Sequence, residues 1–327
     1  MTAPARLPVE GPLPALDGAT AWLNSAPLTP AGLRGTVAVV QFCTFSCINW
    51  LRTVPYVRAW AEKYRDDGVT VIGVHSPEFP FEHDEQEVRS ALEGMGIRYP
   101  VAIDDDFAIW RAFDNAYWPA LYFVDVEGRV RHHHFGEEDY ERSERVIQHL
   151  LRESGVGDVD EGLVSVTPDG VHLAADWADL RTPETYTGYA RATGFAGPGG
   201  LRLDRRSVYV AAERLRRNDW ALVGDWTVRA RATTLDEPGG RIVHRFHGRD
   251  LNLVLAPGAE GPVRFRVRID GGLPDDARGL DVDEQGEGSV VRPRLYQLVR
   301  QRQPIADRTV EITFADAGVE AYVFTFG

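Results

Sequence analysis

Residues 36–52 read TVAVVQFCTFSCINWLR, and this stretch decides the fold. TVAVVQFC (36–43) is a continuous apolar run, the pattern of a parallel strand covered on both faces. Beyond it Trp50, Val54, Val57, Trp60 and Tyr64 recur at helical spacing until Gly68 ends the helix, predicted over 48–65. The turn between them carries both cysteines of the chain, Cys43 closing the strand and Cys47 opening the helix. A helix-start cysteine is how thiol oxidoreductases present a reactive sulfur, usually with a second cysteine three residues on. Here that position is Trp50.

Outward from this stretch, VTVIGVH (69–75) is a second buried strand and residues 84–95 form a polar helix. DDDFAIWRAF (104–113) gives a short helix, and ALYFVD (120–125) and VRHHHF (130–135) make a hairpin about the turn VEGR. EEDYERSERVIQHLLRESG closes with an amphipathic helix. Strand–helix–strand followed by hairpin–helix is the thioredoxin-type α/β order. Past the polar stretch 154–163 helical periodicity fades, and short strands recur between turns such as EPGG, APGAEG and DGGLP. That spacing argues an all-β sandwich of jelly-roll kind. The expected organisation is a first domain over 1–155, a linker over 156–183 and a sandwich over 184–327.

The 327 residues suffice for two ordinary cores. No apolar run is long enough to span a bilayer, and the N-terminus lacks a secretory pattern, so the expected location is cytoplasmic. Residues 1–160 hold 14 Lys and Arg against 25 Asp and Glu, while the remainder hold 22 against 24. An acidic first half and no basic stripe in the second argue against nucleic acid. Two cysteines in so long a chain are no disulfide scaffold; they suit catalysis, redox sensing or metal binding.

At the first turn of a helix, exposed N–H groups and the helix dipole stabilise a thiolate, so Cys47 is the expected nucleophile. Cys43 is the candidate resolving thiol, if its side chain points toward Cys47. Otherwise Cys47 acts alone and release needs an external thiol. Two other chemistries fit. TFSC (44–47) has the T-x-x-C spacing of a peroxidatic cysteine, with Thr44 to orient peroxide and Arg52 nearby in sequence. Cys43-x-x-x-Cys47 also has the spacing of a copper-binding pair, with His75, His132 or His134 as third ligand. Strand alternation puts His132 and His134 on one face and His133 on the other. The redox reading requires no cofactor; the alternative is a copper-binding or non-catalytic thioredoxin-fold protein, with copper as the candidate metal.

WLNSAPLTPAGLRGTVAVVQFCTFSCINWLRTVPYVRAW, VIGVHSPEF, IWRAFDNAYWPALYFVDVEGRV and HFGEEDY together resemble the TlpA/DipZ-type thioredoxin-like family over about residues 8–155. ETYTGYARA, GDWTV, RPRLYQL and GVEAYVFTFG resemble the carbohydrate-binding-module-like sandwich that follows this unit in DipZ-type proteins. The family's reactive pair is C-I-N-C after a strand ending in tryptophan. This chain keeps Cys47, Ile48 and Asn49, has Trp50 at the second cysteine's position, and has Cys43 at the strand tryptophan's. The resemblance implies a cis peptide before Pro119, with Trp118 and Pro119 as the substrate-facing loop, and protein or small-molecule thiols as partners. For the sandwich it implies a glycan or protein partner, for which Tyr186, Tyr189, Trp220, Trp226 and Tyr296 are the candidate stacking residues. Aromatics at strand spacing are more often core. Asp281, Asp283 and Glu284 in an acidic loop suit a solvated turn better than Ca²⁺.

Overall fold

The computed structural model describes residues 7–259 and 261–327, and the chain divides into two compact units between Leu173 and Ala174. The first unit runs β1 (Gly11–Pro12), β2 (Ala21–Leu23), β3 (Val37–Cys43), α1 (Ile48–Lys63), β4 (Val69–His75), α2 (Glu85–Gly94), β5 (Val101–Ile103), α3 (Ala108–Ala112), β6 (Ala120–Val124), β7 (Arg129–Phe135) and α4 (Tyr140–Glu153). Its sheet has the order β1-β7-β6-β3-β4-β5-β2. β3 is central, parallel to β4 and antiparallel to β6, and all seven of its residues are buried. That double cover is why its sequence runs apolar without alternation. One face packs Ala38, Val40 and Phe42 against Ile109 and Phe113 around α3. The other face meets α1, where Gln41 bonds Trp50 and Thr53.

α1 contains Pro55, whose ring nitrogen donates no hydrogen bond and so releases the carbonyl of Leu51. His172 Nδ1 donates to that carbonyl at 2.7 Å. Glu144 of α4 ties the same helix from another side, accepting from Trp60 Nε1 at 3.2 Å, Tyr64 Oη at 2.7 Å and Val164 N at 2.9 Å. Residues 160–172, within the stretch expected to be a linker, are thus bonded to the first unit. Arg181 and Thr182, at its far end, bond His247 and Asn218 of the second unit.

The second unit runs β8 (Thr185–Tyr186), β9 (Arg206–Tyr209), β10 (Trp220–Val228), β11 (Thr233–Leu235), β12 (Arg241–His247), β13 (Asp250–Ala256), β14 (Val263–Ile269), β15 (Glu287–Val290), β16 (Arg294–Arg300), β17 (Asp307–Phe314) and β18 (Glu320–Phe326). Residues 220–223 of β10 pair with β12, whereas 226–228 pair with β11. Gly224, at φ +98°, lies between the two halves, so one strand serves both sheets of the sandwich. β14 alternates buried and exposed along its whole length, with Val263, Phe265, Val267 and Ile269 inward and three arginines outward. Trp220, Trp226 and Tyr296 lie at 0% exposure in this core.

Candidate functional site

Cys47 is the N-cap of α1, in extended geometry at φ −76° and ψ 117°. Its N–H donates to Thr44 O at 3.2 Å, and its carbonyl accepts the first intrahelical bond from Leu51 N at 2.9 Å. The residue is half-buried, and Sγ lies 3.9 Å from the carbonyl oxygen of Trp118. The Trp118–Pro119 peptide is cis, as the resemblance implies. Pro119 is buried and Trp118 half-buried, its Nε1 donating to Ser76 O at 3.1 Å and its ring 4.3 Å from that of Trp110. The helix-start sulfur and the proline loop therefore meet.

Cys43 is placed differently. It is 2% exposed, and its Sγ donates to Val74 O at 3.4 Å, toward β4. Cys47 leans the other way, to the loop that enters β6. Burial first, and the Glu82 carboxylate second, push the Cys43 thiol well above its usual range. Both cysteines are thiols in this structure. Trp50 is 1% exposed and donates from Nε1 to Gln41 Oε1 at 3.2 Å, so the residue at the second-cysteine position is core.

Sequence reading passed over Glu82, which fixes the cysteine turn. Its side chain is buried in the loop before α2, where Oε1 accepts from Ser46 Oγ at 2.6 Å and Ser46 N at 3.3 Å. Oε2 accepts from Glu78 N at 2.7 Å and Phe79 N at 2.9 Å. The residue directly before Cys47 is thereby clamped to a loop 36 positions away in sequence. Burial raises the Glu82 carboxyl pKa, opposed by the bond from Ser46. A lone glutamate in a Pro- and Phe-rich loop carries no spacing signal that would reveal this.

The remaining candidates separate. Thr44 is buried, and the Arg52 guanidinium is committed to Glu137 at 2.8 Å, both side chains nearly sealed from water. His75 is buried directly opposite Cys43 in the β3–β4 register. Burial lowers its pKa to about 3, so the ring is neutral. His132 and His134 stand on β7, opposite Phe123 and Leu121 of β6. β6 lies between them and β3, so of the three candidate third ligands only His75 stands on a strand next to Cys43. Among the described residues no group of three or more His, Cys, Asp or Glu is placed to hold a metal ion.

In the sandwich, the expected stacking platform is corrected by burial: Trp220, Trp226 and Tyr296 are interior. Tyr186 lies beneath Arg191, and Tyr189 Oη donates to Asp204 at 2.9 Å. In the acidic loop Asp281 binds Arg294, and Asp283 accepts from Gln285 N and Glu287 N, as a self-satisfied turn does.

The fold and the helix-start cysteine define a thioredoxin-fold protein of the thiol-disulfide oxidoreductase kind. Residues 9–151 match the Redoxin family, and residues 182–327 match the family described as Thioredoxin like C-terminal domain. Protein DipZ of Mycobacterium tuberculosis is 33% identical over 327 residues, covering 99% of this chain and 44% of its own. Thiol-disulfide oxidoreductase YkuV of Bacillus subtilis is 29% identical over 143 residues, covering 44% of this chain and 96% of its own. A solution structure of a thioredoxin-like protein in the oxidised form is 30% identical over 44% of this chain and 96% of that one, with a TM-score of 0.41. The chain is a redoxin domain followed by the thioredoxin-like C-terminal β domain, and it is similar along almost its whole length to the DipZ-type proteins. It spans less than half the length of the DipZ relatives. No helix among the described residues is long and apolar enough to cross a membrane.

Proposed function

We propose that this protein carries out thiol–disulfide exchange with protein thiols through Cys47 as the single attacking sulfur. The Cys47 thiolate attacks a partner disulfide, forming a mixed disulfide and releasing one partner thiolate. An external thiol then attacks the mixed disulfide, and Cys47 leaves as thiolate. The observation that carries this reading is the contrast between the two sulfurs. Cys47 caps a helix beside the Trp118 carbonyl, where a substrate chain would lie. Cys43 is sealed against Val74, its thiol held protonated by burial, so it resolves nothing while the 44–46 turn stays closed.

The test is the rate of mixed-disulfide formation with a peptide disulfide, read by mass spectrometry. Cys47→Ser should abolish the adduct. Cys43→Ser should form it at the parent's rate and release it to added thiol at the parent's rate. A Cys43→Ser variant that traps the adduct while the parent clears it unaided would make Cys43 the resolving thiol and overturn the single-sulfur reading.

A further inference from the structure

His75 presents an unusual combination. Its side chain is at 0% exposure, and neither Nδ1 nor Nε2 has a hydrogen-bond partner. Buried ring nitrogens left without partners forfeit the hydrogen bonds they had in water. One face of the ring is covered by Phe45, stacked at 5.8 Å and 19°. Across from it in register stands Cys43, the only sulfur in the chain besides Cys47 and the two methionines. Residues paired across neighbouring strands project to the same face. The Cys43 sulfur already leans toward β4, 3.4 Å from the carbonyl of Val74, the residue immediately before His75.

From this juxtaposition we propose that Cys43 and His75 form a buried two-donor site for a soft monovalent cation, Cu(I). The charge balance selects the ion. One thiolate, one neutral imidazole and Cu⁺ sum to zero, and a neutral set avoids the penalty of burying net charge. A divalent ion would leave one positive charge and would want further donors, and among the described residues no third His, Cys, Asp or Glu is grouped with this pair. A thiolate and an imidazole are ligands that Cu(I) accepts, and two of them suffice for it. On binding, Cu⁺ replaces the Cys43 thiol proton, which passes to solvent, and no electron is transferred. The site differs from the copper set expected from sequence: it omits Cys47, whose sulfur faces Trp118, and both histidines of β7. It is also independent of the exchange reaction assigned to Cys47.

The test is anaerobic titration of the reduced full chain with Cu(I) in competition with a chromophoric Cu(I) chelator. The parent and Cys47→Ser should each retain one equivalent. Cys43→Ser and His75→Phe should each weaken retention by more than about tenfold. X-ray absorption at the copper edge of the loaded parent should give one sulfur and one nitrogen in two-coordinate geometry. That measurement decides the matter even if a core variant folds poorly. Loss of all copper from the parent to the chelator, or weakening by Cys47→Ser equal to that by Cys43→Ser, would overturn the proposal. So would a two-sulfur coordination shell. Failure of exchange in Cys47→Ser with copper retained would confirm that the two sulfurs do separate work.

Discussion

At the scale of single residues, the departure from the C-x-x-C pattern that the sequence resembles exchanges a large and a small side chain between β3 and α1. The family places tryptophan at the end of the strand and cysteine in the helix; this chain has Cys43 on β3 and Trp50 on α1. Trp50 reaches across to Gln41, two residues from Cys43 on the same face of the strand. A bulky ring and a small thiol have changed sides, and total volume is kept, which cores tolerate best. Trp50→Cys alone should leave a cavity and cost about 3–5 kcal/mol in urea unfolding. Adding Cys43→Trp should recover a large part of that cost, because neighbouring sites couple by about 0.5–3 kcal/mol or more when they share one space. Strictly additive costs in the double variant would show that the two positions do not share a space. The recovered variant should also form an intramolecular disulfide through Cys47 and the new helix cysteine, measurable as a loss of two free thiols on oxidation.

At the scale of elements, α1 is held by contacts far away in sequence. Pro55 frees the Leu51 carbonyl inside the helix, and the His172 imidazole fills the gap from 121 positions on. His172→Ala should therefore cost about 1 kcal/mol and expose residues 156–173 to protease, read as earlier cleavage there by mass spectrometry. Unchanged cleavage would mean that the segment is held by Glu144 and Gln148 instead. Glu82 acts likewise on the cysteine turn. Glu82→Ala strips acceptors from Ser46, Glu78 and Phe79 N–H groups and should destabilise the first unit by about 3 kcal/mol, measured by urea denaturation. The elements themselves were legible: the unbroken apolar run of β3, the helical recurrence from Trp50 to Tyr64 and the alternation of β14 each follow from burial on one face or two. So was the place of Cys47 at the start of α1, because a cysteine opening a helix is a local pattern. Glu82, His172 and the His75–Cys43 pairing were not, since each depends on strand register or on loops that meet only in the fold. His132 and His134 misled for the same reason. Their alternation is local, but the intervening β6 is a property of the sheet order.

At the scale of the whole molecule, each unit carries one histidine buried in neutral form, and this gives both the same response to acid. His75 lies in the first unit and His244 in the second, both at 0% exposure. Burial lowers each from the ordinary histidine value of 6.5 to about 3. In the unfolded chain both rings take up a proton as pH falls through 6.5, while in the folded chain neither does until about pH 3. At these two rings the unfolded state therefore binds more protons throughout that window, so their contribution to stability falls as pH falls. The slope for each ring reaches about 1.4 kcal/mol per pH unit once the unfolded histidine is fully protonated. Hydrogen exchange after a urea pulse, read peptide by peptide, resolves the two units in the intact chain. Between about pH 7 and about pH 4.5 the unfolding midpoint of each unit should drop. His244 packs against Phe324 and Phe326 at 5.0 and 5.4 Å and its Nε2 bonds Thr185 Oγ1 at 3.3 Å, so phenylalanine keeps the ring packing and removes the titrating group together with that one hydrogen bond. His244→Phe should flatten the pH response of the second unit and leave that of the first unchanged; His75→Phe should do the reverse. A steep response that survives in the substituted unit would assign acid sensitivity instead to ion-paired carboxyls held below their ordinary range, Glu153 beside Arg131 in the first unit and Asp316 beside Arg264 in the second.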